Sequence, residues 1–255
     1  MTVENKRILF LGDSITALNT TERGWVRYFN EIIKPSFFVN LAVSGARLSN
    51  SAEKVVFDGN PVFLGDNTDY RQNVLINQIE KISRGKDTGN PAYKYDPDYD
   101  NFDLIMIAAG TNDWFCREKC DIEGIESQFT KDGKTVLQSE IDCFTWPGAM
   151  RFIYEKLRGF YPAAQIFFCS PVQAYEAIRP YDSILYKRNL MAAVCNRLSD
   201  VVFVDTFNCG ICGIYEKEHE CGRDLIDGLH PNVNGAKKIG VYNALCVKRY
   251  FCDLR

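Results

Sequence analysis

The chain has 255 residues, 46% hydrophobic and 25% charged, ordinary globular usage that suits one large domain with a sizeable core. Its net charge of −3 offers no basic excess for nucleic acid or an anionic membrane surface. No stretch approaches the roughly 18 apolar residues of a membrane span. The apolar run at residues 8–11 is too short for a secretory signal, and no small-residue cleavage site follows it. This points to the cytoplasm, with export left open if a leader has been removed.

In chain order, residues 7–11 read as a strand, followed by a turn at Gly12-Asp13-Ser14. Trp25, Tyr28, Phe29, Ile32 and Ile33 fall at helical spacing, so residues 24–34 form a helix that Pro35 stops. Residues 37–41 are a second strand, ending near a turn at Ser44-Gly45. An amphipathic helix follows at about residues 70–82. Residues 103–108 are a third strand, wholly apolar after Asp103, as expected of a strand covered on both faces. A helix at 148–159, a strand at Gln165–Cys169, a helix at 182–198, a strand at Val201–Val204 and a closing helix at 233–250 complete the series. Five strands alternating with helices predict an α/β protein with a five-stranded parallel sheet covered on both faces. Two stretches break the rhythm, at about 48–101 and 115–145, the second containing a polar, hairpin-like TKDGKT. Both follow strand C-termini, where loops of an open α/β sheet surround the ligand crevice. They read as insertions into a single domain spanning 1–255.

Only two histidines exist. His219 sits in a charged run and reads as a solvated surface residue. His230 sits in Asp227-Gly228-Leu229-His230-Pro231-Asn232. A carboxylate three residues earlier can reach Nδ1 of the imidazole and leave Nε2 free to accept a proton. The same pattern also fits a capping aspartate beside a buried histidine. Ser14 follows the first strand at the C-terminal edge of the sheet; taken alone, it also fits a turn or N-cap serine. Gly45 can turn a backbone N–H toward that edge, and Asn112 can place a side-chain amide there, as donors for an oxyanion. What is unusual is the combination of a serine, an N–H, an amide and an Asp–His pair, all on one side of one sheet.

Ten cysteines are present, none before residue 116. Cys169, Cys195 and Cys246 lie in apolar surroundings and read as buried thiols. Cys209-x-x-Cys212 with Cys221 nearby, and Cys116-x3-Cys120, leave a disulfide or a metal knuckle open. The pairs lack the matched spacing of a zinc site, so reduced thiols are favoured and no metal is implied.

GDSIT at 12–16, NLAVSGAR at 40–47, GTND at 110–113 and DGLHPN at 227–232 resemble, in order, the four blocks of the SGNH (GDSL-type) hydrolases. The resemblance spans about residues 7–250. It implies a three-layer α/β/α, flavodoxin-like sandwich and ester hydrolysis through an acyl-enzyme without metal or cofactor. By the same resemblance Ser14 is the nucleophile and, through its N–H, one oxyanion donor. Gly45 is the second donor through its N–H, and Asn112 the third through its side chain. Asp227 and His230 are acid and base. Asp13 fixes the turn at Ser14 and, with Trp114 just after GTND, is a candidate for substrate contact; Trp114 reads equally as a core residue. Ala42 departs from the family pattern, standing where the second block often has glycine.

The resemblance also favours a short acyl group, acetyl above all, on a carbohydrate. Tyr93, Tyr95, Tyr99, Trp114, Phe115 and Trp146 could stack on sugar rings, or simply pack the insertions. The enzyme alternative is a lysophospholipase or thioesterase with a long apolar groove. A non-catalytic carbohydrate-binding or structural protein is the alternative of another class, but such members lose the serine or the histidine, and this chain keeps all five positions.

Overall fold

The computed structural model describes residues 3–50, 54–57, 60–63, 74–84, 97–113, 122–218 and 220–253. Its elements in order are β1 (Arg7–Gly12), α1 (Ser14–Ala17), α2 (Trp25–Ile33), β2 (Phe37–Asn40), β3 (Lys54–Phe57), β4 (Asn60–Phe63) and α3 (Leu75–Arg84). Then come β5 (Leu104–Ala108), α4 (Ile122–Ser127), β6 (Thr130–Lys131), β7 (Lys134–Thr135), α5 (Trp146–Phe160), β8 (Gln165–Cys169), α6 (Tyr181–Cys195), β9 (Val201–Val204) and α7 (Val233–Asp253).

The five apolar runs expected as strands form one sheet, in the order β2-β1-β5-β8-β9, with every pairing parallel. β1, β5 and β8 occupy the middle and are almost wholly buried, whereas β2 at one edge is only half-buried. Alternate residues of each strand serve opposite faces. Ile8, Phe10, Leu104, Met106 and Phe167 join the core beneath α2 and α7. Leu9, Leu11, Ile105, Ile107, Ile166 and Phe168 join the core beneath α3, α5 and α6. This is the three-layer α/β/α arrangement, with the flavodoxin-like strand order.

Several element ends differ from expectation for local reasons. α5 begins at Trp146 rather than 148, because the Thr145 side chain caps it by accepting the Gly148 N–H at 3.2 Å, and Pro147 tolerates the first turn. α3 covers the later part of the helix expected at 70–82; residues 70–73 lie outside the described residues. TKDGKT does form a hairpin, β6–β7, turning through Asp132 and Gly133 at φ 51° and 72°, the left-handed pair that a two-residue turn demands. The β3–β4 hairpin and the four-residue helix α1 were not foreseen.

No disulfide joins the described cysteines. Cys169 and Cys195 are buried in the core as expected, and Cys246 is half-buried. Cys116 and Cys120 lie outside the described residues. Among the described residues no three His, Cys, Asp or Glu side chains are grouped to hold a metal ion, and no helix is long and apolar enough to cross a membrane.

Candidate active site

β1 and β5 end side by side, with Gly12 opposite Ala108, and the chain leaves both at the same edge. Immediately after β1, Asp13 caps α1: its Oδ1 accepts the Ile15 N–H at 3.0 Å. That cap starts the helix at Ser14 and turns the serine out of the sheet. The Ser14 Oγ lies 2.9 Å from His230 Nε2, and His230 Nδ1 lies 2.7 Å from Asp227 Oδ2. An ionised carboxylate only accepts, so Nδ1 carries the hydrogen and Nε2 accepts from the Ser14 hydroxyl. The sequence places these residues 216 positions apart; the fold brings them into one hydrogen-bonded series.

The turn that carries the pair is closely tied. Asp227 Oδ1 accepts the His230 and Leu229 backbone N–H groups at 2.7 and 3.0 Å, so one carboxylate holds both the ring and its backbone. Gly228 adopts φ 78°, and a Cβ there would meet Tyr175 and Ile178. The Ile226 N–H bonds to the His230 carbonyl, closing the loop, and Asn232 Oδ1 accepts from Asn234 and Gly235 at the start of α7. Burial raises the Asp227 pKa, but the hydrogen bonds from the His230 backbone and ring and from Leu229 outweigh it, holding the carboxyl below its usual range. Asp227 therefore stays ionised at neutral pH.

The second and third blocks are joined to this edge and to each other. Gly45 turns at φ 75°, and among the described residues nothing takes the N–H of Gly45 or of Ser14. Asn112 Nδ2 donates to the Ala46 carbonyl at 3.0 Å, one residue beyond Gly45, which leaves its second amide hydrogen for another acceptor. The buried Asp113 carboxylate accepts from Leu48 N, Ser49 N and Ser49 Oγ, fastening the two loops together. Asn40 donates to the Thr16 carbonyl and accepts from Ala42 N, so the second block also supports α1. Ala42 has no positive φ and fits without strain where the family pattern has glycine.

Asp13 is buried beneath the turn and faces inward. Burial pushes its pKa up to about 6, aided by the nearby Asp113 and opposed by hydrogen bonds from Ile15 and Thr111 and by the charge of His230. Between about pH 4 and 6 the folded chain thus holds a proton that the unfolded chain has lost. This contribution to stability is full below about pH 4 and disappears as pH rises through 6. Asp13→Asn keeps an acceptor for Ile15 and removes the titration. Its stability relative to wild type should therefore rise between pH 4 and 7, by on the order of 2–3 kcal/mol, and level off above. Urea midpoints across that range measure it; a pH-independent difference would contradict the assignment.

Trp114 and His219 lie outside the described residues, as do Tyr93, Tyr95 and Phe115. Trp146 is a core residue, 2% exposed, and its ring fills the space where a Cβ of Gly110 would stand. Tyr99 packs at the margin of the same core, and its carbonyl accepts the Tyr161 hydroxyl. Trp146 thus offers no sugar-stacking face, whereas Tyr99 is only partly buried. Three supporting residues were missed from the sequence. Thr111 bonds Asp13, Arg179 Nε donates to the Thr111 carbonyl at 2.9 Å, and Gln78 bonds both the N–H and the carbonyl of Gly12. Only Gln78 carried a signal: it shares a helix face with Leu75, Ile79 and Ile82, and a polar residue on such a face needs a buried partner.

Fold and site together are of the hydrolase class. The chain belongs to the GDSL-like Lipase/Acylhydrolase family, whose model matches residues 10–238, and is an ester hydrolase of that kind. Among solved structures it is similar to a family two carbohydrate esterase from Clostridium thermocellum (16% identity, TM-score 0.57, 96% of this chain and 64% of that one). It is also similar to the lipase Lip_vut3 from a goat rumen metagenome (12%, TM-score 0.53, 95% and 98%). A protein from Lactobacillus plantarum is similar over 99% and 98% of the two chains (18%, TM-score 0.54). At these identities the likeness shows the fold. No curated protein matches the sequence.

Proposed function

We propose that the protein hydrolyses a short-chain carboxylic ester, acetyl on a carbohydrate in the first instance, through an acyl-enzyme on Ser14. The observation that carries the reading is the unbroken series from Asp227 through His230 to Ser14, at 2.7 and 2.9 Å. In this reading His230 Nε2 takes the Ser14 hydroxyl proton as Oγ attacks the ester carbonyl. The negative charge on the carbonyl oxygen is met by the Ser14 and Gly45 N–H groups and the second Asn112 amide hydrogen. Collapse breaks the bond to the alcohol, which leaves with the proton from His230. Water then gives a proton to His230, attacks the acyl-enzyme, and releases the acid and Ser14. Asp227 holds the tautomer and stabilises the imidazolium. Asp13 acts from beneath, by fixing the turn.

The carbohydrate ester is supported by the similarity to a carbohydrate esterase; the lipase among the similar structures supports the rival, a long-chain acyl hydrolase. A series of p-nitrophenyl acetate, butyrate, octanoate and laurate separates them. Turnover should be greatest on acetate or butyrate, with acetate released from acetylated glycans. A maximum at octanoate or longer would overturn the short-chain assignment.

A further inference from the structure

We infer that Gln78, on the sheet-facing side of α3, is a positioning residue that sets the direction in which Ser14 leaves β1. The inference rests on the esterase reading above. β2 pairs with β1 only as far as Asn40, opposite Phe10; beyond it the Val43 N–H still donates to the Gly12 carbonyl at 3.1 Å, but among the described residues no backbone carbonyl on that side accepts the Gly12 N–H. There the Gln78 side chain supplies the missing acceptor and shares the Gly12 carbonyl with Val43. Its Oε1 accepts the Gly12 N–H at 3.0 Å and its Nε2 donates to the Gly12 carbonyl at 2.7 Å. A primary amide presents acceptor and donor side by side on one edge, which matches the N–H and C=O that one extended residue points to the same side, so the two bonds fix the orientation of the Gly12 backbone. Gln78 is 1% exposed and both its polar atoms are satisfied by this one residue. From the other side Gly12 is confined by β5: a Cβ on it would meet the Ala108 carbonyl at 2.4 Å. Two residues later, Ser14 Oγ must stand 2.9 Å from His230 Nε2. A small rotation of the Gly12 backbone displaces that oxygen, and misplacement of about 1 Å can cost about 100-fold in rate.

The alternative is that Gln78 only closes an open strand edge and contributes stability. Two variants of the full chain separate the two roles. Gln78→Met fills the same space and makes neither bond. Gln78→Glu makes both bonds while protonated, because its carbonyl accepts and its hydroxyl donates; burial favours that form, and ionisation at higher pH removes the donor. The substrate is p-nitrophenyl acetate, with active sites counted by stoichiometric fluorophosphonate labelling, so that unfolded chains do not dilute kcat. For Gln78→Met, kcat per active site should fall about tenfold or more, with KM changed less than about twofold. For Gln78→Glu, kcat should approach wild type on the acidic side and fall at alkaline pH, where the wild type stays level. Wild-type kcat per active site in Gln78→Met, or a wild-type pH profile in Gln78→Glu, would overturn the inference and leave the esterase reading intact. If Gln78→Met does not fold, the Gln78→Glu profile decides. A wild-type protein that neither hydrolyses nor labels would overturn the esterase reading itself, and this inference with it.

Discussion

Ser14→Ala should lower kcat on a short p-nitrophenyl ester by on the order of 10⁶-fold, and His230→Ala by a similar factor. The reason is the geometry of the pair. A serine hydroxyl is a poor nucleophile unless a base takes its proton during attack, and the base 2.9 Å from Ser14 Oγ is His230 Nε2. Without either member the remaining donors can still bind the ester and its developing charge, so some activity above the uncatalysed rate persists. The double variant Ser14→Ala/His230→Ala should therefore be little worse than either single one, because nucleophile and base act as a unit. Multiplying losses in the double variant would mean that the two residues act separately, and full activity in Ser14→Ala would remove the nucleophile altogether.

Asp227→Asn should cost about 10³- to 10⁴-fold in kcat with the fold intact. An asparagine oxygen can still accept the Leu229 and His230 backbone N–H groups that Asp227 Oδ1 accepts now, so the turn survives. The amide nitrogen would then face His230 Nδ1. A donor there forces Nδ1 to accept and moves the ring hydrogen to Nε2, which can no longer take the Ser14 proton. The half-exposure of the Asp227 side chain, 49%, weakens its charge effect through solvent screening but leaves this tautomer argument untouched. An unchanged melting temperature alongside the lost turnover would identify the tautomer as the cause. A variant with nearly full turnover would show that Asp227 serves the turn alone.

The strands were legible because a parallel sheet covered on both faces needs continuous apolar runs, and residues 104–108 and 166–169 are such runs of strand length. The pair Asp227–His230 was legible because its members are three residues apart. The bonds that hold the site in shape were not. Gln78 meets Gly12 across 66 positions, and Asp113 meets Leu48 and Ser49 across 65 and 64. Such pairings follow from where the sheet places each loop, which local spacing does not encode. α1 was read as a turn because four residues give no helical period; its cap, Asp13, is what makes it a helix. Trp146 misled in the opposite direction: its type suggested a sugar platform, but its place at the start of α5 put it in the core.

The central claim is that Ser14 is acylated with the help of His230. Mass spectrometric mapping after reaction with a fluorophosphonate tests it most directly. The account predicts one adduct per chain, on the peptide that contains Ser14, with labelling greatly slowed in His230→Ala. No adduct, an adduct on another serine, or equally rapid labelling without His230 would contradict it.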